Sequence, residues 1–239
     1  TDAGLWRNYT QHYAYDAAGN LTRLRHVPSS GTGYTREMQV AAFSNRAVPA
    51  VQGRQVQWDE AFDANGNQLS LDGVQQAVWD VRNQLTYTTQ VQREKGDPDV
   101  ESYLYDSQGR RALKVRSREA RTKPYTQGTY YLPGLQVHKQ STQRFNVLDI
   151  DTGGGRVTVV QWESGKPREM SAHQLRFSVL DHLKSCALEL DEQARLLSQE
   201  HYYPYGATAW WATSNNVRGD HKVRRYSDKE RDATGLYYY

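Results

Sequence analysis

Tyr105-Asp106-Ser107-Gln108-Gly109-Arg110, followed by the alternating run Ala112-Leu113-Lys114-Val115-Arg116, decides the fold. The aromatic ends a strand, and Asp opens a type I turn by accepting hydrogen bonds from backbone N–H groups. Gly takes the left-handed position that sends the chain back as the partner strand. Equally clear copies stand at Tyr15-Asp16-Ala17-Ala18-Gly19-Asn20 and Phe62-Asp63-Ala64-Asn65-Gly66-Asn67, and weaker ones at Trp79-Asp80-Val81-Arg82-Asn83 and Leu190-Asp191-Glu192-Gln193-Ala194. A unit repeated in this way predicts a long antiparallel hairpin sheet, an extended architecture and not a pocket enzyme.

Period-two alternation dominates elsewhere too: Leu21 to Arg25, Gln55 to Asp59 and Val157 to Trp162 all read as strands. Met38 to Asn45 and Ser185 to Leu190 fit helix and strand equally. Pro133-Gly134, Gly153-Gly154-Gly155, Lys95 to Asp99 and Glu163 to Pro167 are turns between strands. No linker divides the sequence.

The 239 residues carry a net charge of only +3, and one Ile and 4 Phe stand against 17 Tyr and 6 Trp. Tyrosine suits a half-wet sheet, its ring packed and its hydroxyl in water. The composition predicts wide, solvated sheet surfaces with little aliphatic core. Lys and Arg are dispersed, with small clusters at Arg116-Ser117-Arg118 and Lys222 to Arg225; nucleic-acid binding calls for a concentrated stripe or a known motif. Cys186 is the single cysteine, which excludes an intrachain disulfide. No run of apolar residues is long enough for a transmembrane helix, so direct membrane insertion is not expected. The histidines show no ligand spacing, so no metal is expected, and no cofactor motif is present; the Gly153-Gly154-Gly155 run lacks the Lys-Ser of a phosphate loop. The start at Thr1 and the stop in Leu236-Tyr237-Tyr238-Tyr239 look like cuts from a longer polypeptide.

The aromatic-Asp turns resemble the YD repeats of bacterial Rhs proteins and of Tc (ABC) insecticidal toxins. The second half resembles that family more specifically. Asp181-His182-Leu183-Lys184-Ser185 is similar to its Asp-His-Leu-Gly-Ser segment, and Tyr202-Tyr203-Pro204-Tyr205-Gly206 to its Tyr-x-Pro-Tyr-Gly strand. Arg225 to Tyr239 is similar to the Rhs core signature. Order and spacing are most like the C component of a Tc toxin. Lys184 and Asp228 stand where the family has Gly; each replaces a residue that tolerates positive φ with one that does so reluctantly, Asp less reluctantly than Lys, so the two local turns are expected to depart from the family pattern.

The resemblance implies an all-β, extended antiparallel YD-repeat hairpin sheet that forms part of a hollow Rhs-type cocoon. It divides the chain into a β-shell segment, 1–175, and the N-terminal part of an Rhs core domain, 176–239. It implies a secreted bacterial protein whose partners are the B component that completes the shell, an encapsulated C-terminal toxin domain and, indirectly, the pore-forming A component. It also implies an aspartic autoprotease that releases the toxin. That chemistry needs two carboxylates sharing a proton. Asp232 matches one; in relatives the other lies in an Asp-Pro motif further on than the position of Tyr239, so residues 1–239 by themselves are expected to be inactive. Arg225 and Arg231 are candidates to orient the carboxylates, or simply surface charge on a strand. Asp232 also opens Asp232-Ala233-Thr234-Gly235, a turn that fits the repeat rule by itself. Two other functions fit the same sheet: the shell of an Rhs effector delivered by a contractile secretion system, and an adhesion or carbohydrate-binding module using Trp210-Trp211.

Overall fold

The structure, a computed structural model, describes residues 7–119, 125–168, 170–213 and 222–239; Thr1 lies outside them. The chain divides after Ser70 into two compact units.

In the smaller unit, four antiparallel strands lie in sequence order: β1 (Tyr9–Tyr15), β2 (Leu21–Pro28), β3 (Tyr34–Val40) and β4 (Ala47–Pro49). His26 on β2 is stacked against Tyr9 and Tyr34 at centroid distances of 5.1 and 4.9 Å. The strand expected over Gln55–Asp59 is instead a loop leading into one helical turn, α1 (Trp58–Ala61). Asp59 and Glu60 in its first turn favour a helix N-terminus. The following Asp63 hairpin is reduced to the single bridge Phe62 to Gln68. Met38 to Asn45 resolves as the end of β3 and a turn.

The larger unit is a meander. Twelve strands each pair with their sequence neighbours: β5 (Gln76–Trp79), β6 (Leu85–Val91), β7 (Asp99–Tyr105), β8 (Arg111–Arg118), β9 (Tyr125–Leu132), β10 (Leu135–Gln140), β11 (Arg144–Asp151), β12 (Gly155–Ser164), β13 (His173–Leu180), β14 (Cys186–Leu190), β15 (Leu196–Tyr202) and β16 (Thr208–Thr213). The boundary expected after residue 175 falls inside β13, so the sheet runs through it. Beyond β16, the short pair β17 (Glu230–Arg231) and β18 (Tyr237–Tyr238) forms a hairpin.

The repeat rule holds in backbone geometry. At Asp16, Asp63, Asp80, Asp106 and Asp191, the N–H of the Asp donates to the carbonyl four residues on. The N–H three residues on donates back to the Asp carbonyl, at 2.8–3.1 Å. A one-residue register shift precedes Asp16, Asp80, Asp106 and Asp191, as expected for a type I turn with a bulge. The structure adds two copies before the last. One is Asp181, and the other is Tyr203, where the segment expected as a strand turns instead. Asp181 and His182 therefore sit in a turn and not on a strand. Lys184 and Asp228 nevertheless keep a positive φ, 63° and 60°, so the turns persist despite the loss of glycine, and Ala194 takes 58°.

The sheet's two faces are unlike. Among the described residues, buried polar and charged side chains outnumber buried apolar ones, nineteen to eleven. Glu101, Thr129, His138, Arg156, Arg176, Glu189 and Glu200 are all buried, whereas Leu104, Leu148, Ile150, Phe177 and Val179 are exposed on the strands. The apolar cluster among the described residues is small: Phe145, Val147, Val160, Trp162 and Met170. Cys186 is a packed residue, its thiol pushed up to about 11 chiefly by burial.

Candidate functional site

Residues 222–239 lie against strands of the polar face, fastened by ion pairs and phenol hydrogen bonds. Lys222 and Arg225 close on Glu200 of β15 at 3.1 and 2.9 Å, and Lys222 also donates to the Cys186 carbonyl at 2.8 Å. Thr208 and Tyr202 complete the Glu200 shell at 2.7 and 3.0 Å. Burial alone would raise the Glu200 carboxyl. The Thr208 bond and the charges of Lys222 and Arg225 outweigh it and hold the group below its ordinary value. Arg224 pairs with Asp149 of β11 at 3.2 Å, and Asp228 pairs with Arg156 of β12. Tyr131 of β9 donates to both oxygens of Glu230 at 2.8 Å.

The Tyr203 turn is the second point of attachment. Tyr226 donates to the Pro204 carbonyl at 2.7 Å, and Tyr237 to the Gly206 carbonyl at 3.0 Å. Gly206 has φ of 83°, and a Cβ there would stand 2.7 Å from the Tyr226 ring. Both the turn and the docked ring require glycine.

Asp232 breaks the side-chain habit of the repeat. In the turns at Asp16, Asp80, Asp106, Asp181 and Asp191, Oδ1 accepts from the backbone N–H groups two and four residues on, at 2.8–2.9 Å. Asp63 likewise accepts from the N–H of Asn67 at 2.8 Å. Asp232 keeps the backbone turn, with Gly235 N–H donating to its carbonyl at 2.9 Å. Its carboxylate, however, points to the sheet. Arg111 Nη1 and Nη2 donate to Oδ1 and Oδ2, both at 2.8 Å, and Lys114 Nζ donates to Oδ1 at 2.9 Å. Thr234 Oγ1 takes the Leu236 N–H at 3.2 Å in its place. Bidentate Arg–carboxylate pairing fixes orientation as well as charge.

Both clamping residues sit on β8, more than a hundred positions earlier. The Arg111 guanidinium is held between the rings of Tyr103 and Tyr238 at 4.4 and 4.0 Å, and its backbone N–H donates to the Tyr238 hydroxyl at 2.7 Å. Burial opposes the charges of Arg111 and Lys114. The neighbouring carboxylates, Asp232 at Arg111 and Glu230 with Asp232 at Lys114, more than compensate and push both groups up. Glu101 on β7 is raised, first by burial and further by the Asp232 charge, with Lys114 opposing; Tyr103 donates to it at 2.6 Å. Beside Asp232 opens a recess of about 650 Å³, lined by Glu101, Lys114, Arg116, Trp211 and Arg225 among others.

Asp232, named from the sequence, lies at this recess. Arg225 is directed to Glu200 and covers one face of the Trp211 ring at 4.6 Å. Arg231 reaches Thr208 Oγ1 at 3.4 Å and the Gly235 carbonyl at 3.3 Å. The carboxylate is held instead by Arg111 and Lys114, which sequence reading missed. Nothing local marks them, since they lie in one of many alternating strands.

The Tripartite Tc toxins repeat matches residues 31–74. The toxin subunits YenC2 and YenC1 of Yersinia entomophaga are 38% and 37% identical across the whole chain. The chain spans about a quarter of these curated relatives, 26% and 25%. The crystal structure of TcdB2-TccC3 superposes with a TM-score of 0.90 at 41% identity, covering 98% of this chain and 12% of that one. The Photorhabdus luminescens Tc holotoxin pore superposes equally well, at 0.90 and 41%, covering 98% of this chain and 11% of that one. Meander, repeat and matches together define a YD-repeat, Rhs-type β-shell segment. Within that class the chain is similar over its whole length to the Tc toxin subunits YenC2 and YenC1 and to TcdB2-TccC3.

Proposed function

We propose that this chain is shell wall from the C component of a Tc toxin, enclosing a C-terminal toxin domain and carrying part of the aspartic autoprotease that frees it. The observation that carries the reading is the diverted Asp232. Alone among the Asp-opened turns described above, its carboxylate leaves the N–H donors of its own turn to stand ionically clamped at a recess on the polar face. An acid-base carboxylate needs such a fixed position. One carboxylate takes a proton from water while a second, protonated one donates to the scissile carbonyl oxygen; the second is supplied by sequence after Tyr239. Arg225 and Arg231 act at one remove, fastening the segment that bears Asp232. In this reading residues 1–175 are shell and 176–239 begin the core domain, a division of role that falls within the twelve-stranded sheet. The B component completes the wall, and the pore-forming A component is the indirect partner of a secreted bacterial complex.

Enclosure is tested with the chain continued past Tyr239 and assembled with a B component. Under limited proteolysis the downstream segment survives at least tenfold longer than the same segment alone. Degradation at equal rates contradicts the reading.

A further inference from the structure

The groups around the Asp232 carboxylate and its two cations come from five strands. β8 supplies Arg111 and Lys114, β7 Glu101 and Tyr103, β9 Tyr131, β17 Glu230 and β18 Tyr238. Of the two cations that bond it, Arg111 is buried between two rings, whereas Lys114 lines the recess together with Asp232. Lys114 also bonds Glu230, so its ammonium joins both acidic residues of the docked hairpin to the sheet.

The competing arrangement is written into this same chain. Six other Asp side chains bond their own turns. The Asp232 turn has the same backbone bonds and could be capped in the same way. What differs is the cationic pair on β8. A side chain choosing between two backbone N–H donors and two cations goes where the charge-assisted bonds are stronger. Removing one cation shifts that balance.

We propose that Lys114 is a positioning residue: it draws the Asp232 carboxylate out of its own turn and presents it to the recess. The consequence for cleavage rests on the autoprotease reading; the local claim does not. The test compares Lys114→Met and Lys114→Arg. In the present chain, crystal structures or amide hydrogen exchange follow the Thr234 and Leu236 N–H groups. Lys114→Met returns Asp232 to its turn, and both amides gain at least tenfold protection; Lys114→Arg leaves them as in the parent. In the chain continued past Tyr239, Lys114→Met slows self-cleavage at least tenfold and Lys114→Arg restores it to within about threefold. A folded Lys114→Met protein with Asp232 still on the sheet overturns the proposal. So does a Lys114→Met chain that fails to fold, which would make the role structural, and so does a Lys114→Arg variant as impaired as Lys114→Met. Asp232→Asn is the control: if it still cleaves, the autoprotease reading fails while the amide comparison still judges Lys114.

Discussion

At the scale of single residues, the charges that fasten residues 222–239 to the sheet stand in pairs and triads. Arg111 is the clearest case. Its partner Asp232 is buried, and two rings enclose it. Arg111→Ala therefore leaves a buried carboxylate with Lys114 as its one remaining cation and is expected to cost about 3 kcal/mol in chemical denaturation. A loss under 1 kcal/mol would mean the pair is better solvated than it stands here. Glu200 gives a signed pH dependence. Its carboxyl lies below the ordinary 4.5 in the folded chain. The stability it contributes is thus present above about pH 4.5 and is lost as the pH falls through the lowered value. Acid unfolding curves of the parent and of Glu200→Gln should converge as the pH drops below 4. Curves that remain parallel would remove Glu200 from the acid response.

At the scale of the element, the hairpin unit is a type I turn with a bulge, and its left-handed residue sets its cost. Gly109 fills that position freely, whereas Lys184 is held there at φ 63°. Lys184→Gly is expected to stabilise the chain by about 1 kcal/mol, read as a higher denaturation midpoint; a lower midpoint would show that the lysine side chain contributes more than its backbone strain removes. The turns around Asp106, Asp16 and Asp63 were legible because Asp, Gly or Asn and flanking alternation all agree. The Asp181 and Tyr203 turns were not read as copies. One has Lys at the left-handed position and the other has Tyr in place of Asp, so the backbone rule persists where its sequence signature does not. The short helix α1 was missed because four residues carry too little period to oppose an alternating reading. At the site, Asp232 was legible through its turn and its resemblance. Its clamp was not, because Arg111 and Lys114 lie 121 and 118 positions away and are joined to it only when the hairpin folds back on β8.

At the scale of the molecule, the larger unit buries its polar side and leaves apolar side chains on the other. A sheet of this kind gains little from aliphatic packing and much from paired charge, which matches a composition rich in Tyr and poor in Ile and Phe. The chain spans 26% of the similar subunit YenC2 and 12% of TcdB2-TccC3. The central claim is that Asp232 left its turn for chemistry. Intact mass spectrometry of the chain continued past Tyr239 tests it most directly. The account predicts two fragments from the parent and a single uncut mass from Asp232→Asn, with both proteins folded. Two fragments from Asp232→Asn would contradict it.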